Sequence, residues 1–220
     1  AVKQSFDALL RQELAAIDAG ERRRRLRVLD NGDGDGGLRD AQGRRLVDVS
    51  SNDYLGLSQH PLPKARAAEW AQRHGAGAPA SRLVTGTRGI TLALEEKLAA
   101  FKGREAALLF SSGFQANATV IPALARLGEI VGASDTANRA AIFSDELNHA
   151  SIIHGARAAR CPVHVFRHND LDQLDALLGR HPGRKLIATE SVFSMDGDRA
   201  DLAALEGIAV RHGAMLYVDE

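Results

Sequence analysis

Four short runs set hydroxyl, imidazole or carboxylate side chains directly after apolar segments. Ser111-Ser112-Gly113-Phe114 follows Ala106–Phe110, and Ser144-Asp145-Glu146-Leu147-Asn148-His149-Ala150-Ser151 follows Ala140–Phe143. Glu190-Ser191-Val192-Phe193-Ser194-Met195-Asp196-Gly197-Asp198 follows Leu186–Thr189, and Asp219 closes Met215–Val218. Serines and a glycine at a helix start leave backbone N–H groups that can hold an anion, although Ser111 or Ser112 could equally be a plain N-cap. An imidazole at a helix mouth, as at His149, can stack on a planar ligand or move a proton; a lone histidine can also be a satisfied surface or core residue. A carboxylate at the end of an apolar strand is costly to bury without a cation. For Asp219 that cation would be an arginine or a protonated ring nitrogen. A further candidate is the run Arg22-Arg23-Arg24-Arg25, either a solvated helix end or a fork of donors for a phosphate or carboxylate.

The elements that must position these residues follow from periodicity. Between residues 3 and 27, Phe6, Leu9, Leu10, Leu14 and Ile17 recur at helical spacing ahead of the arginines. Asp30 to Gly37 is expected to form a polar β-hairpin turn leading to the alternating stretch Arg45–Val49. Asn31, Asp33, Asp35 and Gly36 match half a calcium loop, but Gln42 stands where its bidentate glutamate belongs. From residue 105 onward, strands are expected at 106–110, 140–143, 163–166, 186–189 and 215–218. Helices are expected near 113–127, 150–160, 170–179 and 201–212, and Gly128 to Arg139 reads as a long surface loop. Continuous apolar strands that alternate with helices predict a parallel sheet covered on both faces. Ligands in such sheets sit beyond the carboxyl ends of the strands, where the four runs fall.

Composition narrows the class. The 220 residues carry 28 Lys plus Arg against 28 Asp plus Glu, without the basic excess of a nucleic-acid or membrane-surface protein. The single cysteine excludes an internal disulfide framework or a multi-cysteine zinc site. His154, His164 and His168 make no metal-ligand pattern with His149, so no metal is expected. There is no Walker glycine-lysine pair and no G-x-G-x-x-G. No apolar run reaches the roughly 18 residues needed to span a bilayer, and a cytoplasmic location is expected. The chain closes on an apolar strand and two carboxylates, which reads as part of a longer protein.

Anion-holding turn, stacking imidazole and ring-nitrogen carboxylate together describe pyridoxal phosphate, whose pyridinium is an electron sink. The chain resembles the α-oxoamine synthases, pyridoxal-phosphate enzymes of fold type I. The resemblance spans essentially all residues. It rests on Ser50-Ser51-Asn52-Asp53-Tyr54-Leu55-Gly56-Leu57, Ser81-Arg82-Leu83-Val84-Thr85-Gly86-Thr87, Ser112-Gly113-Phe114, Asn148-His149-Ala150-Ser151, Val192–Asp198 and Val218-Asp219-Glu220. It implies an α/β fold with a mostly parallel sheet, incomplete at its C-terminal side. Its domains would be an N-terminal helix and hairpin over 1–55 and the first part of a cofactor domain over 56–220.

By the same resemblance, Gly113 and Phe114 hold the cofactor and His149 stacks on its ring and approaches the substrate. Ser194 would meet the ring-hydroxyl region and Asp219 the ring nitrogen. Arg23, or a neighbour in its run, would meet an acyl-CoA, with Asn52 and Glu190 lining the site. The implied reaction joins L-alanine to pimeloyl-CoA, or its carrier-protein thioester, and releases CoA and CO2 to give 8-amino-7-oxononanoate for biotin. A homodimer is implied as well. The lysine that such enzymes join to the cofactor would follow Asp219, whereas Lys3, Lys64, Lys97, Lys102 and Lys185 all precede it; catalysis is therefore expected of a longer parent chain. The alternatives are glycine C-acetyltransferase, using glycine and acetyl-CoA, or a catalytically inactive fragment of the same fold.

Overall fold

A computed structural model describes residues 5–31, 37–127 and 140–220. The calcium-like run beyond Asn31, at 32–36, and the 128–139 connection lie outside the described residues. Two compact units divide at Thr87 and Arg88. The N-terminal one holds α1 (Phe6–Ala19), an antiparallel sheet of β1 (Leu29–Asn31), β2 (Leu38–Asp40) and β3 (Arg45–Leu46), then α2 (Pro61–His74). The expected hairpin is present as the β1–β2 pair, with Leu29 opposite Asp40. The arginine run, however, does not end a helix. Gly20 caps α1 by donating to the Ala16 carbonyl, Glu21 donates to the Asp18 carbonyl and turns the chain at φ 53°, and residues 22–28 continue without regular structure. Among this unit's described residues Gly86 alone is buried. A Cβ there would stand 1.9 Å from the Ala80 carbonyl oxygen, so the turn Arg82–Gly86 closes only around a glycine.

The C-terminal unit runs α3 (Gly89–Phe101), α4 (Gly113–Ala125), β4 (Ala141–Asp145), α5 (Ala150–Ala158), β5 (Val163–Phe166), α6 (Leu171–Arg180), β6 (Lys185–Glu190), α7 (Leu202–His212) and β7 (Met215–Asp219). Its four strands are all parallel, in the order β5-β4-β6-β7. Alternation along each strand splits the core into two layers. Ile142, Leu186 and Ala188 pack with Ile121 and Ala125 of α4 and Ile152 and Ala156 of α5. Phe143 and Ile187 pack on the other face with Leu174 and Leu178 of α6 and Leu205 and Ile208 of α7.

Two strand expectations are corrected. Ala106–Phe110 has no regular structure and joins no ladder among the described residues; Leu109 gives its N–H to the buried Glu95 carboxylate at 2.7 Å rather than to a neighbouring strand. β4 runs two residues past the expected Phe143, since Ser144 and Asp145 still pair with β5; their burial is made tolerable by hydrogen bonds that the local sequence does not reveal.

Candidate functional site

The α4/α5 face of the sheet ends in a polar cluster built from four elements. Ser112 caps α4, its hydroxyl accepting from Gln115 N–H at 3.1 Å. Gly113 and Phe114 therefore sit in the first turn, where helical N–H groups lack intrahelical acceptors. The space beyond Gly113 is open, with nothing within 4 Å of a Cβ built there. One helical turn on, buried Asn117 links the remaining elements. Its amide donates to Asp219 at 2.7 Å and to Ser151 at 2.9 Å, and its carbonyl accepts from the Tyr217 hydroxyl at 2.6 Å. Tyr217 and Asp219 lie two apart on β7 and so share a face.

His149 caps α5: its Nδ1 accepts from Ser151 N–H at 3.2 Å and lies 2.6 Å from Ser151 Oγ. Its backbone N–H donates to the Glu190 carboxylate, while the residue itself remains exposed. The capping bond thus holds the exposed ring at the cluster's rim. Beneath it, Asn148 donates to Ser144 at 2.9 Å and to the Ala188 carbonyl at 2.8 Å, and its own Oδ1 is buried without a partner.

The charges here are unbalanced. Glu190 and Asp219 are register neighbours on β6 and β7. Burial raises the Glu190 carboxyl above its ordinary range, Asp219 adding to the effect and the His149 N–H opposing it. Burial and Asp219 likewise raise the Tyr217 phenol. Half-buried Asp219 has an amide, not a cation, as its hydrogen-bond partner; the nearby Lys102 instead pairs with Glu220. A like-charged pair with no lysine or arginine partner among the described residues suits a cationic ring atom, and an open helix start suits a phosphate. These residues fit pyridoxal phosphate.

Of the expected residues, the structure brings together the helix start bearing Gly113 and Phe114, His149, Glu190 and Asp219. Phe114 packs its ring on His154, with centroids 5.6 Å apart. Ser194 is exposed on the loop after β6, whose first residue, Ser191, donates to the Asp219 carbonyl at 2.8 Å. Arg23 and Asn52 belong to the N-terminal unit, and Arg23 pairs with Asp18 at 2.6 Å. Sequence reading missed Asn117, Ser151 and Tyr217. Their signal was a polar group inside an apolar stripe, at the fourth residue after Gly113, in the first turn after His149 and two before Asp219.

The family model for class I and II aminotransferases matches residues 44–220. The chain belongs to that family. It is 52% identical over 211 residues to 8-amino-7-oxononanoate synthase from Gluconacetobacter diazotrophicus, covering 93% of this chain and 52% of that protein. With the 8-amino-7-oxononanoate synthase of Anaeromyxobacter sp. (strain Fw109-5) it shares 48% over 210 residues, 95% of this chain and 50% of the relative. Among solved structures, a serine palmitoyltransferase from S. paucimobilis, carrying PLP and myriocin, superposes with TM-score 0.81 at 30% identity over 98% of this chain and 52% of that one. The 8-amino-7-oxononanoate synthase from Francisella tularensis gives 0.62 at 28% identity, over 80% and 45%. The fold is the fold type I architecture of PLP-dependent transferases, and the relatives are α-oxoamine synthases. The chain spans about half the length of the curated relatives it matches. No helix among the described residues is long and apolar enough to cross a membrane.

Proposed function

We propose that the parent protein carrying this sequence condenses L-alanine with a pimeloyl thioester and releases CO2, giving 8-amino-7-oxononanoate. The observation that carries this reading is Asp219, half-buried beside Glu190 with no lysine or arginine partner among the described residues, at the rim where His149 stands. Identity near 50% to synthases of that name, against 30% to serine palmitoyltransferase, supports alanine over serine. Bound pyridoxal phosphate would supply an electron sink for the carbanion that attacks the thioester. The α4 start, with Gly113 and Phe114, would hold its phosphate. Asp219, steadied by the Asn117 amide, would keep the ring nitrogen protonated, and His149, fixed by its cap, would lie against the ring and orient the substrate. Ser194 would meet the ring hydroxyl, and Arg23 the acyl-CoA. A cytoplasmic homodimer belongs to the same reading.

The test is reduction of the complete protein with borohydride after adding pyridoxal phosphate, followed by intact mass and assay with alanine, glycine or serine. One pyridoxyl adduct, with alanine and pimeloyl-CoA the preferred pair, supports the reading. Preference for glycine and acetyl-CoA moves the assignment to glycine C-acetyltransferase, and absence of an adduct leaves an inactive fold.

A further inference from the structure

On the opposite face of the sheet a second polar cluster sits under the loop that carries Ser194. Asp145, at the end of β4, is 2% exposed. Its Oδ1 accepts from Leu147 N–H at 2.9 Å and lies 2.9 Å from His168 Nδ1, and its Oδ2 accepts from Asn169 N–H at 2.9 Å. The other ring nitrogen, His168 Nε2, lies 2.6 Å from Asp198 Oδ2. The Asn169 amide donates to that same oxygen at 2.9 Å. Asp198 Oδ1 is buried without a partner.

Each His168 nitrogen faces a carboxylate oxygen, an acceptor only; the Asn169 amide nitrogen also lies 3.2 Å from Nε2, but donates to Asp198 at the shorter 2.9 Å. A neutral imidazole has one N–H and can satisfy one of them; the imidazolium has two and satisfies both. Asp145 is also a buried carboxylate, and among the described residues its charge-bearing hydrogen-bond partner is His168. The neighbouring charges do not replace it. Arg167 is paired with Asp170, Glu146 accepts the His168 backbone N–H at 2.9 Å, and Arg199 meets Asn169 through its carbonyl.

The loop meets this cluster through Phe193 and Asp198. Phe193 is buried with its ring edge-on to His168, centroids 4.4 Å apart. Phe193 N–H donates to the Asp198 carbonyl at 2.9 Å, Gly197 N–H to the Phe193 carbonyl at 2.8 Å, and Val192 bridges to Arg199. Ser194 stands between these two anchors, Phe193 and Asp198.

We propose that protonated His168, held between Asp145 and Asp198, is a positioning residue that pins the 191–199 loop and so sets Ser194 for the cofactor. The inference rests on the reading of Ser194 as a cofactor contact. Burial alone would lower the His168 ring, but the bonds to Asp145 and Asp198 outweigh it and hold the ring above its ordinary value. A histidine raised on folding contributes stability fully below its unfolded value, near 6.5, and loses it as pH rises through the folded one. The loop should therefore loosen on the alkaline side.

The experiment measures two quantities on the complete protein from pH 6 to 9. One is hydrogen exchange of the 191–199 peptide without cofactor, corrected for intrinsic rate; the other is the Kd for pyridoxal phosphate. At pH 6, His168→Gln is expected to speed exchange and weaken the cofactor each about tenfold, the scale of one charged hydrogen bond. Wild-type protein should approach that behaviour as pH rises. Asp198→Asn offers an amide donor that a neutral ring can accept, so it should flatten the pH dependence. Unchanged exchange in His168→Gln, or a pH dependence that persists in Asp198→Asn, overturns the clasp while cofactor binding still stands. Faster exchange with unchanged Kd overturns the positioning role. Absence of cofactor binding in wild-type protein overturns the underlying reading instead, and exchange then tests the clasp alone.

Discussion

The two faces of the parallel sheet end in polar clusters of opposite design. On the α6/α7 face, Asp145 and Asp198 share His168 between them, one histidine for two carboxylates. On the α4/α5 face, Glu190 and Asp219 stand side by side, bonded to a backbone N–H and an amide respectively, with no lysine or arginine partner among the described residues. A cluster that holds its own ionisable donor between its carboxylates fastens structure; one that lacks it waits for a ligand. The difference teaches that strand-end carboxylates in one sheet take different roles according to whether the neighbouring loop returns a cation.

Substitutions should separate the two. Asp145→Ala leaves His168 and two backbone N–H groups without their buried acceptor. It is expected to cost about 3–5 kcal/mol of stability, read as a fall in Tm by calorimetry. Asp219→Ala should do the reverse. Asn117 keeps its bond to Ser151, so Tm should scarcely move while turnover falls about 100-fold or more, the scale of one lost preorganised electrostatic contact. Near-wild-type turnover would remove Asp219 from catalysis.

Gly155→Ala probes what holds the open cluster in place. A Cβ at Gly155 would lie 2.6 Å from the Asn117 carbonyl oxygen, so α4 and α5 must part. About 1–3 kcal/mol of destabilisation is expected, with weakened cofactor binding, because Asn117 itself is displaced. The smallest effect is predicted for Ser112→Ala, which removes one capping bond from α4. Its cost is about 1 kcal/mol by denaturant unfolding, and an equal cost from Ser111→Ala would show that the capping role is not specific to Ser112.

Much of this was legible from local chemistry. Apolar runs marked the four paired strands, and their alternation with helices implied parallel order, since crossover helices must cover both faces. The six motifs marked the family. His149, Glu190 and Asp219 were visible because strand ends are where parallel sheets bind ligands. Less visible was Asn117, a polar residue in a helix that otherwise reads as core, and His168 carried no motif at all.

Local sequence determined the helices and paired strands from α4 to β7, because propensity, capping and periodicity act over a few positions. It could not assign Ala106–Phe110, whose apolar character suits a strand but whose N–H at Leu109 went to Glu95. Nor could it say that Asp145, Asp198 and His168 meet, or that Asn117 joins Tyr217, Ser151 and Asp219. Those contacts unite residues as far as 102 positions apart. A side chain's charge is written in the sequence; whether that charge is answered depends on what the fold brings within about 3 Å of it.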